Sequence, residues 1–364
     1  MFISELSLVN FKNINQAEFS FSPSVNCFLG NNGQGKTNLL DAIYYLSYTK
    51  SFFNSIDSQN VNFNENFFVI QGKIEENDSI FDLYCGMKKA EKKVFRKNKK
   101  VYKKLADHIG VFPVVMITPY DINLILEGSD TRRKFLDGLI SQFNKQYLAD
   151  LLSYNKLLKQ RNAMLKDMRF QKSYDLLEVY EASMDEKARL IHKVRKDFIE
   201  EFTPLFNQFY RDISSNLEHV DLLYDTDLND HTLSELFQLN RSKDEKLGYT
   251  SAGIHREDLV FSIEGNPIKK FGSQGQQKTY LIALKLAKYE FIRQQKKVSP
   301  VLLLDDIFDK LDDNRVGYIL DLISLNKVGQ CFITDTSTTK VPSVLSDFNV
   351  SFNQFEIISG TVKS

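Results

Sequence analysis

The residues best suited to chemistry form one glycine-rich stretch of eight positions. They are Gly30, Asn31, Asn32, Gly33, Gln34, Gly35, Lys36 and Thr37. Their spacing fits the pattern G-x-x-x-x-G-K-[ST], in which a curled backbone points successive N–H groups at a phosphate. In this pattern the lysine ammonium reaches the β- and γ-phosphates and the threonine hydroxyl binds Mg²⁺. We therefore expect all eight residues to bind ATP, Lys36 to act in catalysis and Thr37 to be a Mg²⁺ ligand.

The flanks of this stretch predict the strand–loop–helix context that such a loop requires. Residues 25–29 are a short apolar run typical of a buried strand. Residues 38–47 repeat apolar positions at helical spacing, with Leu39, Ile43 and Leu46 on one face. The helix start would add partial positive charge beside the phosphates. The alternative, a chance glycine-rich turn, is disfavoured by these flanks.

Two adjacent acids follow an apolar run in the last quarter of the chain. Residues 301–304 are apolar and end in Asp305 and Asp306. An acid at the exposed end of such a strand holds Mg²⁺ in P-loop NTPases, and we assign that role to Asp305. Asp306 can then act as the general base on an attacking water. The alternative is that both acids merely end a strand, which the phosphate-binding pattern upstream disfavours.

A further polar segment lies at the predicted start of a helix. It consists of Ser273, Gln274, Gly275, Gln276 and Gln277. Backbone N–H groups at a helix start form an anion site. In ABC-type ATPases a comparable signature closes over the γ-phosphate that a partner chain binds, so we expect this segment to act in trans. The alternative is an ordinary helix cap by Ser273.

Residues 88–104 form the most strongly charged segment, with ten Lys or Arg and one acid, Glu91. Residues 94–102 predict a hairpin with an Asn-containing turn. The candidate contacts to DNA phosphates are Lys93, Arg96, Lys97, Lys99 and Lys100. The open alternative is a solvated lysine-rich face.

The overall composition is that of a globular protein. The 364 residues are 42% hydrophobic and 26% charged, with zero formal net charge, and this length favours two domains. No apolar run approaches the ~20 residues of a membrane span, and the N-terminus has no signal-peptide pattern, so no membrane association is expected. Cys27, Cys85 and Cys331 lie far apart in apolar runs, which indicates buried thiols and a cytoplasmic location.

Strand patterns occur towards both ends of the chain, and helical periodicity dominates the middle. Strands are predicted at residues 1–9, 16–21, 67–74, 80–87, 111–117, 259–263, 301–304 and 331–334. Helices are predicted at 129–143 with Ser129 as a possible cap, through Leu151, Leu158 and Leu165, and over 174–216 with a kink at Pro204. We therefore predict an α/β head domain built from residues 1–128 and 250–364, with a mostly helical domain inserted at 129–249.

Several blocks, taken together and in order, resemble the RecF family of bacterial DNA replication and repair ATPases. They are residues 32–44, 132–137 (RRKFLD), 160–163 (QRNA), 255–259 (HREDL), 273–277 (SQGQQ), 303–306 (LLDD) and 311–312 (LD). The match spans nearly the whole chain. The first and last blocks are shared with SMC-type heads, whereas RRKFLD and QRN are far more specific to the RecF family.

This resemblance implies a P-loop ATPase head of the ABC/SMC type with a helical insertion. It also implies a weak, DNA-dependent ATPase that forms an ATP-dependent homodimer on double-stranded DNA and on single/double-strand junctions. The implied role is in DNA repair, replication and recombination, where the family helps a recombinase load at single-strand gaps with the mediator proteins RecO and RecR. By the same resemblance Asp312 would be the D-loop acid that crosses the dimer interface.

The chain departs from the family pattern at two positions. Ile254 replaces a proline and Glu257 an aspartate, which leaves the roles of His255 and Arg256 open. Thr334 and Asp335, rather than a histidine, follow the strand at 331–333, as the family suggests. A transporter ATPase would need a Leu-Ser-Gly-Gly-Gln signature and that histidine, and a structural SMC head that tethers DNA would need hundreds of residues of coiled coil.

Overall fold

A computed structural model describes residues 1–77, 79–167, 174–214, 218–307, 313–325 and 327–362. Across these ranges no helix is long and apolar enough to span a membrane. The chain divides into two compact units. The first consists of Met1–Asp121 and Leu281–Ser364, and the second of Ile122–Tyr280.

An antiparallel sheet forms one layer of the first unit. Its strands are β1 (Phe2–Phe11), β2 (Ile14–Ser20), β4 (Phe67–Glu76), β5 (Ser79–Lys88), β6 (Val94–Lys97) and β7 (Lys100–Val101). They are ordered β2-β1-β4-β5-β6-β7. Alternate residues of β5 are buried, which is the pattern expected of a sheet with one face against the core. Strands β1, β2, β4 and β5 lie where the sequence predicts strands, at 1–9, 16–21, 67–74 and 80–87.

A second sheet, mostly parallel, carries the glycine-rich loop. Its strands are β3 (Val25–Leu29), β8 (Val114–Ile117), β12 (Val301–Asp305), β13 (Cys331–Asp335), β14 (Phe352–Ile358) and β15 (Thr361–Val362). The order is β15-β14-β3-β13-β12-β8, with β15 antiparallel to β14. Every residue of β3, β8, β12 and β13 is buried, which explains why the sequence shows mostly apolar runs there rather than alternation.

The longer helices of the first unit are α1 (Lys36–Tyr48), the greater part of α8 (Gln274–Lys296), α9 (Asp313–Ser324) and α10 (Lys340–Asp347). One core joins both sheets to α1 and includes Phe28, Leu39, Phe68 and Phe332. Apolar burial of this extent fixes β3 and α1, and hence both ends of the loop between them.

The second unit is mostly helical and contains a small sheet. Its elements are α2 (Asn123–Leu126), α3 (Ser129–Ile140), α4 (Lys145–Asp167), α5 (Tyr174–Ser214), β9 (Val220–Asp225), α6 (Leu233–Leu247), β10 (Asp258–Ile263), β11 (Asn266–Pro267), α7 (Ile268–Phe271) and the start of α8 (Gln274–Lys296). The strands are ordered β11-β10-β9. The boundary between the two units falls inside α8, between Tyr280 and Leu281.

The bounds of the second unit differ from the expected insertion at 129–249. Strand β9, which sequence patterns did not reveal, pairs along its whole length with β10, from Asp258↔Asp225 to Ile263↔Val220. This pairing holds β10 and the segments after it in the second unit. The prediction that Ser129 caps α3 was wrong, because Gly128 is the N-cap and Ser129 is the first helical residue.

Candidate nucleotide-binding site

Residues 30–37, called the phosphate-binding loop below, connect β3 to α1. Gly30, Gly33 and Gly35 have φ of 144°, 79° and 102°, in the region that favours glycine. Gly35 is the N-cap of α1, so the loop ends at a helix start whose first amides have no intrahelical partner. The curled loop and this helix start together present backbone N–H groups to an anion.

The Lys36 side chain lies within the loop and is 7% exposed. Its Nζ donates to the carbonyl oxygens of Gly30, at 2.6 Å, and Asn31, at 2.9 Å. Burial lowers the pKa of Lys36, and the charges of Asp306 and Asp305 oppose that shift. The ammonium is therefore held by loop carbonyls and interacts electrostatically with Asp305 and Asp306.

Thr37 and Asp305 are brought together although 268 positions separate them. The Thr37 hydroxyl donates to Asp305 Oδ1 over 2.8 Å. The contact follows from the parallel sheet, since β13 lies between β3 and β12 and all three strands end at the same edge. A hydroxyl and a carboxylate are the hard oxygen ligands that Mg²⁺ prefers, so this pair fits that ion.

Asp306 stands next to this pair with an unusual backbone. Its φ is 49°, a left-handed conformation that is uncommon for a residue other than glycine and is concentrated at functional sites. One carboxylate oxygen, Oδ1, is buried and accepts no hydrogen bond from the described part of the chain. That oxygen is able to accept a proton.

Thr334, at the end of β13, joins the two acids through a single hydroxyl. It donates to Asp305 Oδ1 at 2.8 Å and accepts from the Asp306 backbone N–H at 2.9 Å. Burial raises the pKa of Asp305, and the hydrogen bonds from Thr334 and Thr37 counteract that rise. In the sequence, Thr334 is notable only as the residue found in place of a histidine. Its link to the two acids is not visible there, because these hydrogen-bond partners lie about 30 positions away.

Asn13 is a second residue that sequence reasoning missed. It lies in the turn between β1 and β2, where Phe11 pairs with Ile14. Its Nδ2 donates to the Gly33 carbonyl at 3.3 Å, and its Oδ1 accepts from Asn38 Nδ2 at 2.7 Å. A hairpin-turn asparagine is ordinary in sequence, so no local signal identified this contact with the phosphate-binding loop.

Residues 273–277, the predicted signature, lie at the start of α8 within the second unit. The Ser273 hydroxyl accepts from the Gln276 N–H at 3.2 Å, and Gln276 Oε1 accepts from the Ser273 N–H at 2.6 Å. This reciprocal pair is a capping box, so the helix-cap alternative describes the local structure. Ser273 and Gln274 are nevertheless exposed at a helix start, as a contact to a partner chain requires. Asp312 lies outside the described residues.

The basic segment forms the expected hairpin. Strands β6 and β7 pair antiparallel, and Asn98 and Lys99 at the turn have φ of 48° and 66°. Lys99 and Lys100 are exposed, whereas Arg96 and Lys97 are half-buried. The Arg96 guanidinium lies 4.8 Å from the Tyr84 ring centroid, and Lys97 Nζ lies 3.8 Å from that of Phe81.

Lys93 is not suited to the DNA contact expected of it. Its side chain is 13% exposed, and its Nζ forms a 2.8 Å salt bridge to Asp57. The same ammonium donates to the Thr49 carbonyl at 2.5 Å and to Tyr45 Oη at 3.3 Å. Because these bonds are internal to the first unit, the expectation for Lys93 is withdrawn.

The blocks most typical of the family take part in buried and half-buried charge networks of the second unit. Arg161 is fully buried and donates to Glu181, Asp244 and Thr250 at 2.7–3.0 Å. Arg132 forms a bidentate pair with Asp258, with both distances 2.7 Å. Buried charges with full sets of partners define one packing arrangement strongly, since loss of either partner leaves an uncompensated charge.

The segment around Glu257 belongs to a second network of this kind. Arg195 donates to Asp137 at 2.7 Å and to Glu257 at 2.5 Å. Burial acts to raise the pKa of Glu257, but its hydrogen bonds and Arg195 outweigh burial and lower the pKa to about 2. His255 binds Tyr154 Oη through Nδ1 at 2.9 Å, and Arg256 donates to the Thr250 carbonyl at 3.1 Å. Both residues thus have structural partners inside the second unit.

The loop between β3 and α1, with an acidic strand end on the same parallel sheet, defines a P-loop NTPase. The second unit, inserted into this P-loop domain, indicates more narrowly an ATPase head of the ABC/SMC class. Comparison with known sequences agrees, since the RecF/RecN/SMC N-terminal domain family matches residues 2–357.

Full-length relatives narrow the class further. The DNA replication and repair protein RecF of Flavobacterium johnsoniae is 46% identical over 359 residues, 98% of this chain and 100% of its own length. The RecF protein of Bacteroides thetaiotaomicron is also 46% identical, over 100% of this chain and 98% of its own. The chain belongs to the RecF family of DNA replication and repair proteins.

Solved structures support the same assignment. A structure of the recombination mediator protein RecF with ATP, described within the RecFOR pathway, has a TM-score of 0.91 and 34% identity. The structural match covers 100% of this chain and 97% of the chain in that structure. The Smc head domain of Pyrococcus furiosus has a TM-score of 0.57 at 16% identity, a likeness of fold alone.

Proposed function

We propose that this protein binds ATP with Mg²⁺ at the phosphate-binding loop, hydrolyses it slowly and dimerises in its ATP state on DNA. The observation that carries the proposal is the 2.8 Å contact between Thr37 and Asp305, which brings together from distant parts of the chain the two residues that would hold Mg²⁺. The relative solved with ATP supports the choice of nucleotide. In the cell, the protein would help a recombinase load at single-strand gaps, with RecO and RecR as partners.

The roles of the site residues follow from their chemistry. Loop amides and Lys36 would bind the phosphates, and Thr37 and Asp305 would hold Mg²⁺. When bound, Mg²⁺ supplies Lewis-acid stabilisation of the charge that develops on the phosphate. Asp306 would accept the proton of the attacking water at its buried oxygen, Oδ1. Thr334 holds both acids by one hydroxyl and so limits their motion relative to each other.

The ATP site is tested by Lys36→Ala. Loss of the buried ammonium removes a charge-assisted contact to the phosphates, so affinity for a fluorescent ATP analogue should fall roughly 100-fold or more. Lys145→Ala, which changes an exposed lysine at the start of α4, is the control and should bind as wild type does. Unchanged affinity in Lys36→Ala, with a normal unfolding temperature, would reject the assignment of this loop.

DNA binding by the hairpin is tested by salt dependence. Lys99, Lys100 and Lys103 are exposed at or beside the hairpin. Each phosphate that a lysine neutralises steepens the dependence of log K on log salt by about 0.9. Changing all three to Glu should weaken binding to gapped DNA and flatten that slope.

A matched charge reversal serves as the comparison for that experiment. Lys156, Lys159 and Lys166 are exposed on α4, and their change to Glu alters the net charge equally. The α4 variant should bind DNA with a slope near that of wild type. If the α4 variant loses affinity and the hairpin variant does not, the DNA contact lies on the second unit instead.

A further inference from the structure

The turn between β14 and β15, residues Ser359 and Gly360, contacts the phosphate-binding loop through Gln34. The Ser359 N–H donates to Gln34 Oε1 over 2.6 Å, and the Gly360 N–H donates to the Gln34 carbonyl over 2.7 Å. The bond from Ser359 joins positions 325 residues apart in sequence. One loop residue is therefore bound by both its side chain and its backbone.

The hairpin that carries this turn is itself fixed on the sheet. Strand β14 is parallel to β3, with Glu356 opposite Leu29, so it reaches the same edge as the strand that enters the loop. Ile358 pairs with Thr361, which leaves Ser359 and Gly360 as a two-residue turn with φ of 51° and 79°. Positive φ at both central residues is typical of the two-residue hairpin turns whose backbone twist matches that of the flanking strands.

The fit between hairpin and loop is close at both ends of the loop. A Cβ at Gly30 would lie 2.5 Å from the Ile357 carbonyl oxygen, and a Cβ at Gly35 would lie 3.3 Å from Gly360 Cα. Gly30 and Gly35 thus serve the approach of this hairpin as well as the loop's own curvature. On its other side Gly360 packs against the β1–β2 turn, where a Cβ would lie 3.2 Å from the Asn13 carbonyl oxygen.

We propose that the Ser359–Gly360 turn is a positioning element for ATP binding: it holds Gln34 so that the loop amides are already arranged for phosphate. The idea rests on the proposed ATP site and names a part of the chain that the phosphate-binding pattern does not include. Holding a loop in its binding conformation raises affinity because less ordering remains to be done on binding. The effect of the turn should therefore appear in nucleotide affinity and not in the unfolding temperature.

The protein contains a matched control for this test. Gly265 occupies the second position of another two-residue turn, with φ of 71° after 48° at Glu264, between paired Ile263 and Asn266. A Cβ at Gly265 meets no atom of the described chain within 4 Å. Gly265→Ala should therefore impose a backbone strain similar to that of Gly360→Ala, but it displaces no neighbouring atom that the structure describes.

Gly360→Ala should weaken the binding of a fluorescent ATP analogue by about tenfold, as expected for the loss of one or two hydrogen bonds. Gly265→Ala should bind as wild type does, and the two variants should unfold within a few degrees of each other. Gln34→Ala removes only the bond from the Ser359 N–H, because the Gln34 carbonyl that accepts from Gly360 belongs to the backbone, so it should weaken binding by no more than Gly360→Ala does. The double variant Gln34→Ala/Gly360→Ala should be no weaker than Gly360→Ala alone, since displacing the turn already breaks the bond that Gln34→Ala removes.

Two results would overturn the proposal. One is wild-type affinity in Gln34→Ala and Gly360→Ala, and the other is additive loss in the double variant, which would show that Gln34 and the turn act separately. If Gly360→Ala does not fold, Gln34→Ala carries the test alone, and wild-type affinity in it rejects the idea. Failure of the ATP site itself is distinct, because wild-type protein would then not bind the analogue.

Discussion

Replacing Asp306 with asparagine should reduce ATP hydrolysis by roughly 100- to 1,000-fold while leaving ATP binding nearly unchanged. Asparagine has the same shape as aspartate but cannot take a proton from water. The Asp306 N–H bond to Thr334 belongs to the backbone and survives the change. The variant should therefore accumulate as an ATP-bound dimer, measurable by light scattering with ATP and DNA.

Asp305→Asn is the matched comparison, because it makes the same chemical change one residue away. Asp305 is 3% exposed and accepts hydrogen bonds from Thr37 and Thr334. An asparagine oxygen can keep those bonds, but the negative charge that would hold Mg²⁺ is lost. ATP binding should then weaken in Mg²⁺ and change little in EDTA. If both variants lose binding equally, the division of roles between the two acids is wrong.

A mixture of two inactive chains, Lys36→Ala and Ser273→Arg, should regain ATPase activity. The reason is geometric: a phosphate-binding loop leaves the γ-phosphate open on one side, and hydrolysis needs donors there to offset developing charge. The Ser273 hydroxyl and the amides at the start of α8 are such donors if a partner chain supplies them. In a two-fold symmetric dimer each signature would then face the partner's loop.

The expected size of the recovery follows from counting sites. A heterodimer has one site with both changes and one with neither, so it should reach about half the wild-type rate if the sites are independent. Random pairing makes about half of the dimers heterodimers, so an equimolar mixture should show roughly a quarter. Strong coupling between sites would lower this value, so ATP-dependent dimerisation of the mixture should be measured alongside.

Ser273→Arg also removes a helix cap, and that effect requires its own control. Thr232 caps α6 through the same kind of capping box, with Glu235 in the role of Gln276. Thr232→Arg should lose a similar stability, about 1 kcal/mol, yet keep ATPase activity. If Ser273→Arg hydrolyses ATP and dimerises as wild type does, the signature does not act in trans.

Local sequence was sufficient for the strand, the phosphate-binding loop and the helix that follows. Strand β3 has the expected bounds, since a mostly apolar run of that length suits a strand buried on both faces. The positive φ of Gly30, Gly33 and Gly35 is a property that glycine spacing encodes directly. The adjacency of Asp305 to the loop could also be expected, because parallel strands end at one edge of a sheet.

Other features depended on contacts between segments that carry no local signal. Thr334 is an ordinary strand residue until β13 is inserted between β3 and β12. Lys93 belongs to a basic run in the sequence, and only its contacts with Tyr45 and Asp57 in the folded chain make it an internal residue. Strand β9 acquires its place from pairing with β10, more than thirty positions away in sequence.

The same distinction applies within the phosphate-binding loop. Its glycines and Lys36 are recognisable from spacing, because their conformation and charge are properties of the residues themselves. The partners of Gln34, in contrast, are backbone N–H groups of Ser359 and Gly360. Backbone donors exist at every residue except proline, so only the folded chain determines which of them meet the loop.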